Sequence, residues 1–178
     1  MTRLTLSRPA AGLLAASLLA LVLPTVPAQA QQTGARLVES FNDWSVYTAQ
    51  QGNAKVCYAT TQPKVRLPAG LNRDPAFIFI SNRPAENVRN EVSLVMGFPT
   101  RPGQDAEAVI DSRSFALVTK GPNAWVKNHA QEATVLNAMR AGSKLIVKSA
   151  SARGSSLTDE YSLSGVTAAL QRLARECP

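Results

Sequence analysis

Cys57 and Cys177 are the only two cysteines in this 178-residue chain. The second stands one residue from the terminus, so a bond between them would close a loop of 120 positions, most of what can fold. Few features limit a fold so strongly, but the limit holds only if the bond forms. Thiols stay reduced in the cytosol and pair in exported proteins, so the N-terminus has to be read first.

Residues 1–30 read as a secretory leader. Arg3 and Arg8 give a positive start, Ala10 to Leu23 form a 14-residue apolar run, and Pro24 and Pro27 break it ahead of Ala28-Gln29-Ala30. An A-x-A triplet after such a run is a cleavage site, placed here after Ala30. The run is short of the roughly 20 residues that span a bilayer. No cysteine stands near the site to carry a lipid, and the two arginines are not adjacent, so the pattern is that of a Sec-type leader directing the chain to the periplasm or to secretion. Cleavage leaves residues 31–178, 148 in all, the size of one domain. No later run reaches membrane-spanning length, so no transmembrane segment is expected once the leader is removed.

An exported chain meets oxidant, and both cysteines fall on ordered elements. Cys57 lies in "AKVCYATT", where alternation gives its side chain one face of a strand. Cys177 ends the series Val166, Leu170, Leu173, Cys177, which is one apolar stripe at helical spacing. A Cys57–Cys177 disulfide is the expected pairing.

The rest of the chain is rich in strand signals. "WSVYTA" from Trp44, "AFIFIS" from Ala76, "EVSLVMGF" from Glu91, "EAVIDS", "SFALVT", "KLIVKSAS" from Lys144 and "DEYSLS" all favour strands. The stretch 62–75, with three prolines, reads as an irregular loop. Two segments read as helices. In 128–142, Asn128 suits an N-cap with Gln131 completing a capping box, Ala133, Leu136 and Met139 form a face widened by Val135 and Ala138, and Gly142 suits a left-handed stop. In 165–177, Ser164 suits the N-cap, and Arg172 and Arg175 suit the C-terminal dipole. The expected fold is therefore mainly β, an antiparallel sandwich or barrel-like sheet, with one internal helix and a C-terminal helix. Residues 31–40 read as a flexible lead-in, and 41–178 as a single β-rich domain.

Chemistry is harder to find. The chain has one histidine, His129, at the start of a predicted helix, where the dipole opposes a protonated base. No G-x-S-x-G motif, metal-ligand spacing, calcium loop or phosphate loop is present. "RGSSLTDEY", Arg153 to Tyr161, is polar enough for a site but equally has the composition of a hairpin turn. Trp44 and Trp125 sit among apolar strand residues and suit core or rim packing better than a pocket. No catalytic, metal-binding or cofactor-binding residue is assigned. Without Arg3 and Arg8, 17 basic side chains face 12 acidic ones, a net +5. The charges are scattered, which indicates a solvated surface or weak attraction to an anionic surface or partner. An exported chain without basic blocks is not expected to bind nucleic acid.

The stretches "FNDWSVYTAQ", "AKVCYATTQPK", "RDPAFIFISNRPAENVRNEVSLVMGFP", "AWVKNHAQEATVLNAMRAGSKLIVK" and "RGSSLTDEYSLSGVTAALQRLAREC" together resemble the invasion-associated locus B family of exported bacterial proteins. The resemblance implies a β-rich periplasmic or outer-envelope domain with a C-terminal helix. It associates no catalytic residues with the chain, and the family is named for assisting entry of some pathogens into host red cells. Many members resemble a pattern with a further cysteine soon after the W-x-V strand, which "WSVYTAQ" lacks, leaving Cys57 only Cys177 as partner. The function expected is that of a non-enzymatic envelope protein binding an unidentified envelope component or a host-cell surface. The alternatives are a periplasmic enzyme using His129 or the "RGSSLTDEY" region, and an accessory or stress-protective factor.

Overall fold

The structure is a computed structural model and describes residues 34–178. The leader read over 1–30, with its cleavage residues Ala28 and Ala30, lies outside the described residues. From residue 36 onward the chain forms β1 (Arg36–Phe41), β2 (Trp44–Gln51), β3 (Ala54–Thr61), β4 (Val65–Leu67), β5 (Phe77–Arg83), β6 (Val88–Val95), β7 (Ala106–Ile110), β8 (Arg113–Lys120), β9 (Asn123–Val126), α1 (Glu132–Ala141), β10 (Lys144–Ala150), β11 (Ser156–Ser162) and α2 (Val166–Glu176). The expected mainly antiparallel β fold, with one internal and one C-terminal helix, is what forms.

All eleven strands belong to one sheet in the order β1-β2-β3-β5-β6-β9-β8-β7-β10-β11-β4. Every neighbouring pair is antiparallel. β4 ends this order, yet only Gln62, Pro63 and Lys64 separate it from β3. A link of that length reaches about 10–14 Å, so the sheet must roll until its β11–β4 edge returns beside β3. Hydrogen bonds mark the return: the Lys64 amide donates to the Glu160 carbonyl at 2.7 Å, the Asp43 amide to the Ser164 carbonyl at 3.3 Å, and the Trp44 indole to the Ser162 carbonyl at 3.0 Å. No ladder joins β1 to β4, so the sheet curls like a barrel without closing.

The inside of the roll holds the core. Alternation sends Trp44 and Val46, Cys57 and Ala59, Ile78 and Ile80, and Val92 and Leu94 inward. α2 lies against β1, β2, β3 and β5, and α1 against β6 and α2. The predicted stripe of α2 is buried as drawn: Val166, Leu170, Leu173 and Cys177 are inside, with Ala169 between them. Burying each of the larger side chains contributes roughly 1.5–3 kcal/mol. The predicted face of α1 buries Val135, Leu136, Ala138 and Met139, whereas Ala133 is exposed.

Three details of the helix ends differ from the sequence reading. Asn128 does cap, accepting the Ala130 amide at 3.0 Å, but what it caps is a 3₁₀ turn over 129–131 that precedes α1. Gly142 is extended rather than left-handed; a Cβ there would come within 2.7 Å of Ile110 Cγ2, so the glycine serves packing. α2 begins after left-handed Gly165, with no side-chain cap, and the Ser164 hydroxyl instead accepts from Asn42 Nδ2 at 3.0 Å.

Three strands escape local reading. β1 falls mostly within the segment read as a flexible lead-in and is ordered by pairing with β2, Leu37 opposite Tyr47 and Phe41 opposite Trp44. β4 falls within the predicted loop and pairs with β11, and β9 joins β6 to β8. Only β4 rests wholly on a distant partner; β1 and β9 are short strands completed by the hairpin neighbours β2 and β8, with β6 on the other side of β9.

Candidate functional site

Cys57 and Cys177 are bonded, with Cα atoms 6.0 Å apart. The bond is one part of a larger fastening. A helix ends with carbonyls that have no partner of its own, and the sheet supplies donors for them. Lys55 Nζ from β3 donates to the Glu176 carbonyl at 2.6 Å. Asn82 Nδ2 from β5 and an Arg89 guanidinium N–H from β6 donate to the Cys177 carbonyl at 3.0 and 3.3 Å. Two of these donors are cationic, as the negative end of the helix dipole favours. The thiols are wholly committed to structure.

The polar residues singled out in the sequence are dispersed. The His129 side chain is 81% exposed, and its nearest charged neighbour is Glu132, 3.4 Å away. Ser155 lies in the turn between β10 and β11, where the Ser151 amide donates to its carbonyl and its own amide donates to Ser151 Oγ. The turn reading of "RGSSLTDEY" therefore accounts for its first half. The second half is β11, and it carries Asp159, the one strongly buried acid among the described residues. Asp159 sits between Arg66 Nε at 3.2 Å and Arg73 at 3.0 Å. Arg66 also donates to the Asp74 and Met96 carbonyls at 2.8 and 3.0 Å. This trio pins the 62–75 loop to the sheet. Above it Arg73, Gly97, Pro99, Ser151, Arg153 and Leu157 line a cleft of about 450 Å³. His129 lines a different cleft, with Arg89 and Arg140, so Ser155 and His129 are not brought together. Among the described residues no group of three or more His, Cys, Asp and Glu side chains is arranged to hold a metal ion. No described helix is long and apolar enough to cross a membrane.

The outer side of the sheet is less usual. Antiparallel sheets with one solvated face carry polar residues there. Across β2, β3 and β5 this face instead carries Tyr47, Tyr58, Phe79 and Phe77, each half-buried. Tyr47 stacks on Tyr58 with ring centroids 5.4 Å apart, Tyr58 meets Phe79 edge-on at 5.5 Å, and Phe79 lies 5.7 Å from Phe77. Partial burial, and then the neighbouring Tyr47, push the Tyr58 phenol up from its ordinary value. Tyr47 and Phe77, the two ends of this ribbon, flank a cleft of about 490 Å³ whose other lining is mostly polar. Trp44 is fully buried, and Trp125 faces outward on β9 between Ser93 and Val118.

The family model described as invasion associated locus B (IalB) protein matches residues 44–174. The chain belongs to this family. The matched span runs from the first residue of β2 into the last turn of α2, so it contains Cys57 and stops short of Cys177. It also contains all four residues of the aromatic ribbon. No curated protein and no solved structure matches the chain.

The ribbon is the feature that sequence reading passed over in this locus B protein. "AFIFIS" is nearly all apolar, and the register, Phe79 opposite Thr60 and Tyr47 opposite Tyr58, shows that one face of it is outside. The available signal was the alternation itself: with Trp44 and Val46 inward, Tyr47 must point out.

Proposed function

We propose that the chain is an exported, non-enzymatic envelope protein that acts by binding another envelope component or a host-cell surface. The observation that carries this reading is the outward aromatic ribbon Tyr47–Tyr58–Phe79–Phe77. Aromatic rings left on a solvated sheet face, where folding does not require them, mark contact surfaces. Export is supported by the leader read in residues 1–30 and by a disulfide of a kind that persists in oxidising compartments. Family membership is consistent with both. His129 and Ser155 line separate clefts, so the two do not form a catalytic pair.

Fractionation and crosslinking in intact cells test the proposal together. The expected outcome is a mature, oxidised chain outside the cytosol, crosslinked to a discrete component, with capture lost in Tyr58→Ala and kept in a His129→Ala, Ser155→Ala double variant. A leader-bearing chain confined to the cytosol would refute export. Loss of function in the double variant, with the fold intact, would favour the enzyme.

A further inference from the structure

We infer that the cleft bordered by the aromatic ribbon binds a neutral oligosaccharide. This rests on reading the chain as a binding protein and names the chemistry of one ligand class. The cleft opens on the outer face where β2, β3 and β5 lie side by side. Tyr47 and Phe77 line it as aromatic walls, Ser45 and Thr60 supply hydroxyls between them, and Asp43 and Lys64 stand at the rim. Its volume, about 490 Å³, is within the range of small-molecule sites.

Three observations select the ligand class. Aromatic walls around a mostly polar lining suit a molecule with an apolar face and a hydroxylated edge. A pyranose is such a molecule: its axial C–H groups make a flat apolar face, and its equatorial hydroxyls radiate outward. A lipid surface would instead require a mostly apolar lining. Next, the cleft has no net charge to offer, because Asp43 and Lys64 form an ion pair with each other. An anionic or cationic ligand would have to break that pair, whereas neutral hydroxyls extend it, donating to the carboxylate and accepting from the ammonium. The strand hydroxyls are also partnered in ways that leave room for a ligand, Thr60 being left to accept and Ser45 able to do either. Thr60 Oγ1 already donates to the Ile78 carbonyl at 2.8 Å, and Ser45 Oγ shares a hydrogen bond with Ser40 Oγ at 2.9 Å. Finally, the ribbon joins the two walls, Tyr47 to Phe77, through Tyr58 and Phe79 at centroid spacings of 5.4, 5.5 and 5.7 Å, so a row of four rings borders the cleft and can face a chain of sugars rather than one.

The same chemistry occurs in the glycan strands of a bacterial envelope and in the glycans of a host cell, and the test separates them. Purified, oxidised protein is titrated with chitotetraose, an amino-sugar strand of the envelope type, and with lacto-N-neotetraose, a galactose-ended host type. Saturation-transfer NMR and calorimetry are the readouts. Binding of either probe is expected, with transfer strongest at the sugar ring protons. Tyr47→Ala should weaken it by about tenfold or more. Ser45→Tyr, which fills the cleft without removing any wall, should do the same and guards against misfolding of the first variant. Ser155→Ala, on a separate cleft, should bind as wild type. Chitotetraose alone would place the ligand in the envelope, and lacto-N-neotetraose alone on a host surface. Absence of binding to both at about 10 mM, or unchanged binding in both cleft variants, would overturn the inference. Crosslinked capture of another component alongside such a failure would remove this inference and leave the binding role standing.

Discussion

Asn82 donates Nδ2 to the Cys177 carbonyl at 3.0 Å and accepts the Asn90 amide on Oδ1 at 2.8 Å. One buried amide side chain thus joins β5, β6 and the residue that carries the disulfide. Leaving buried partners unsatisfied costs about 1–3 kcal/mol, so Asn82→Ala should destabilise by that amount. Asn82→Asp should do no better, since it places a carboxylate against a carbonyl oxygen. The midpoint of urea unfolding, with the disulfide intact, measures both.

Removing the disulfide acts on the unfolded chain. A closed loop of 120 positions corresponds to about 4–5 kcal/mol in the chain-entropy model. Cys57→Ser, Cys177→Ser and the double variant should lose about the same stability, because either change breaks the whole bond. Reduction of the wild type should reproduce the loss. A double variant much weaker than either single one would show that the thiols contribute separately.

These two fastenings differ in how far they could be read in advance. The disulfide was legible because two cysteines in a chain that reads as exported leave one pairing, and because Val166, Leu170, Leu173 and Cys177 fall on one helical stripe. The strands around Cys57, Ile78, Val92, Leu117 and Leu145 were legible as alternating or β-branched runs. What stayed hidden depends on partners far along the chain. The roll of the sheet follows from β4 pairing with β11, Glu160 opposite Val65, and three-residue β4 has no pattern of its own. The aromatic ribbon needed the β2–β3–β5 register, and the amide of Asn82 is silent until Cys177 is brought to it.

Asp159 carries the sharpest electrostatic prediction. Its carboxylate, 4% exposed, sits between Arg66 and Arg73. Removing one partner of a buried ionic group leaves charge without compensation, at a cost of about 3–5 kcal/mol. Asp159→Ala should show that cost and should make the 62–75 segment the first to be cut in limited proteolysis. Arg66→Lys should cost less but still be visible, because a single ammonium cannot replace the guanidinium contacts to the Asp159 carboxylate and the Asp74 and Met96 carbonyls.

Acid should weaken the fastenings through two carboxylates. The hydrogen bond from Lys64, and then that from Ser162, hold the half-buried Asp43 carboxyl below its ordinary range. At Glu176 burial pushes the carboxyl up, but hydrogen bonds and charge from Lys55 and Arg172 outweigh it and leave it lowered. A carboxyl whose pKa is lower folded than unfolded stabilises the fold while ionised. That contribution is present above the unfolded value near about 4 and is lost as pH falls through the folded one. Asp43→Asn should therefore have a lower Tm than wild type at pH 6, with the gap closing toward pH 3 and shrinking in high salt. A gap independent of pH would assign the effect to packing.

Gly165 decides whether α2 can sit where Cys177 needs it. Its φ is +94°, and a Cβ there would stand 1.9 Å from the Phe41 carbonyl oxygen at the end of β1. The obstacle is backbone held in a strand pair with Trp44, so it cannot swing aside as a side chain would. Gly52 provides the comparison, at φ +60° with open space around the added carbon. Gly52→Ala should pay only the left-handed penalty of about 1–2 kcal/mol. Gly165→Ala adds the clash and should exceed about 4 kcal/mol, the region reserved for specific structural failures. It should also move the start of α2 and, through the rigid helix, the stripe that ends at Cys177. Unreduced peptide mass spectrometry should then recover a fraction of Cys57 and Cys177 as free thiols in Gly165→Ala and none in Gly52→Ala. Equal stability and full oxidation in both variants would mean that the contact between Gly165 and Phe41 does not set the position of the helix.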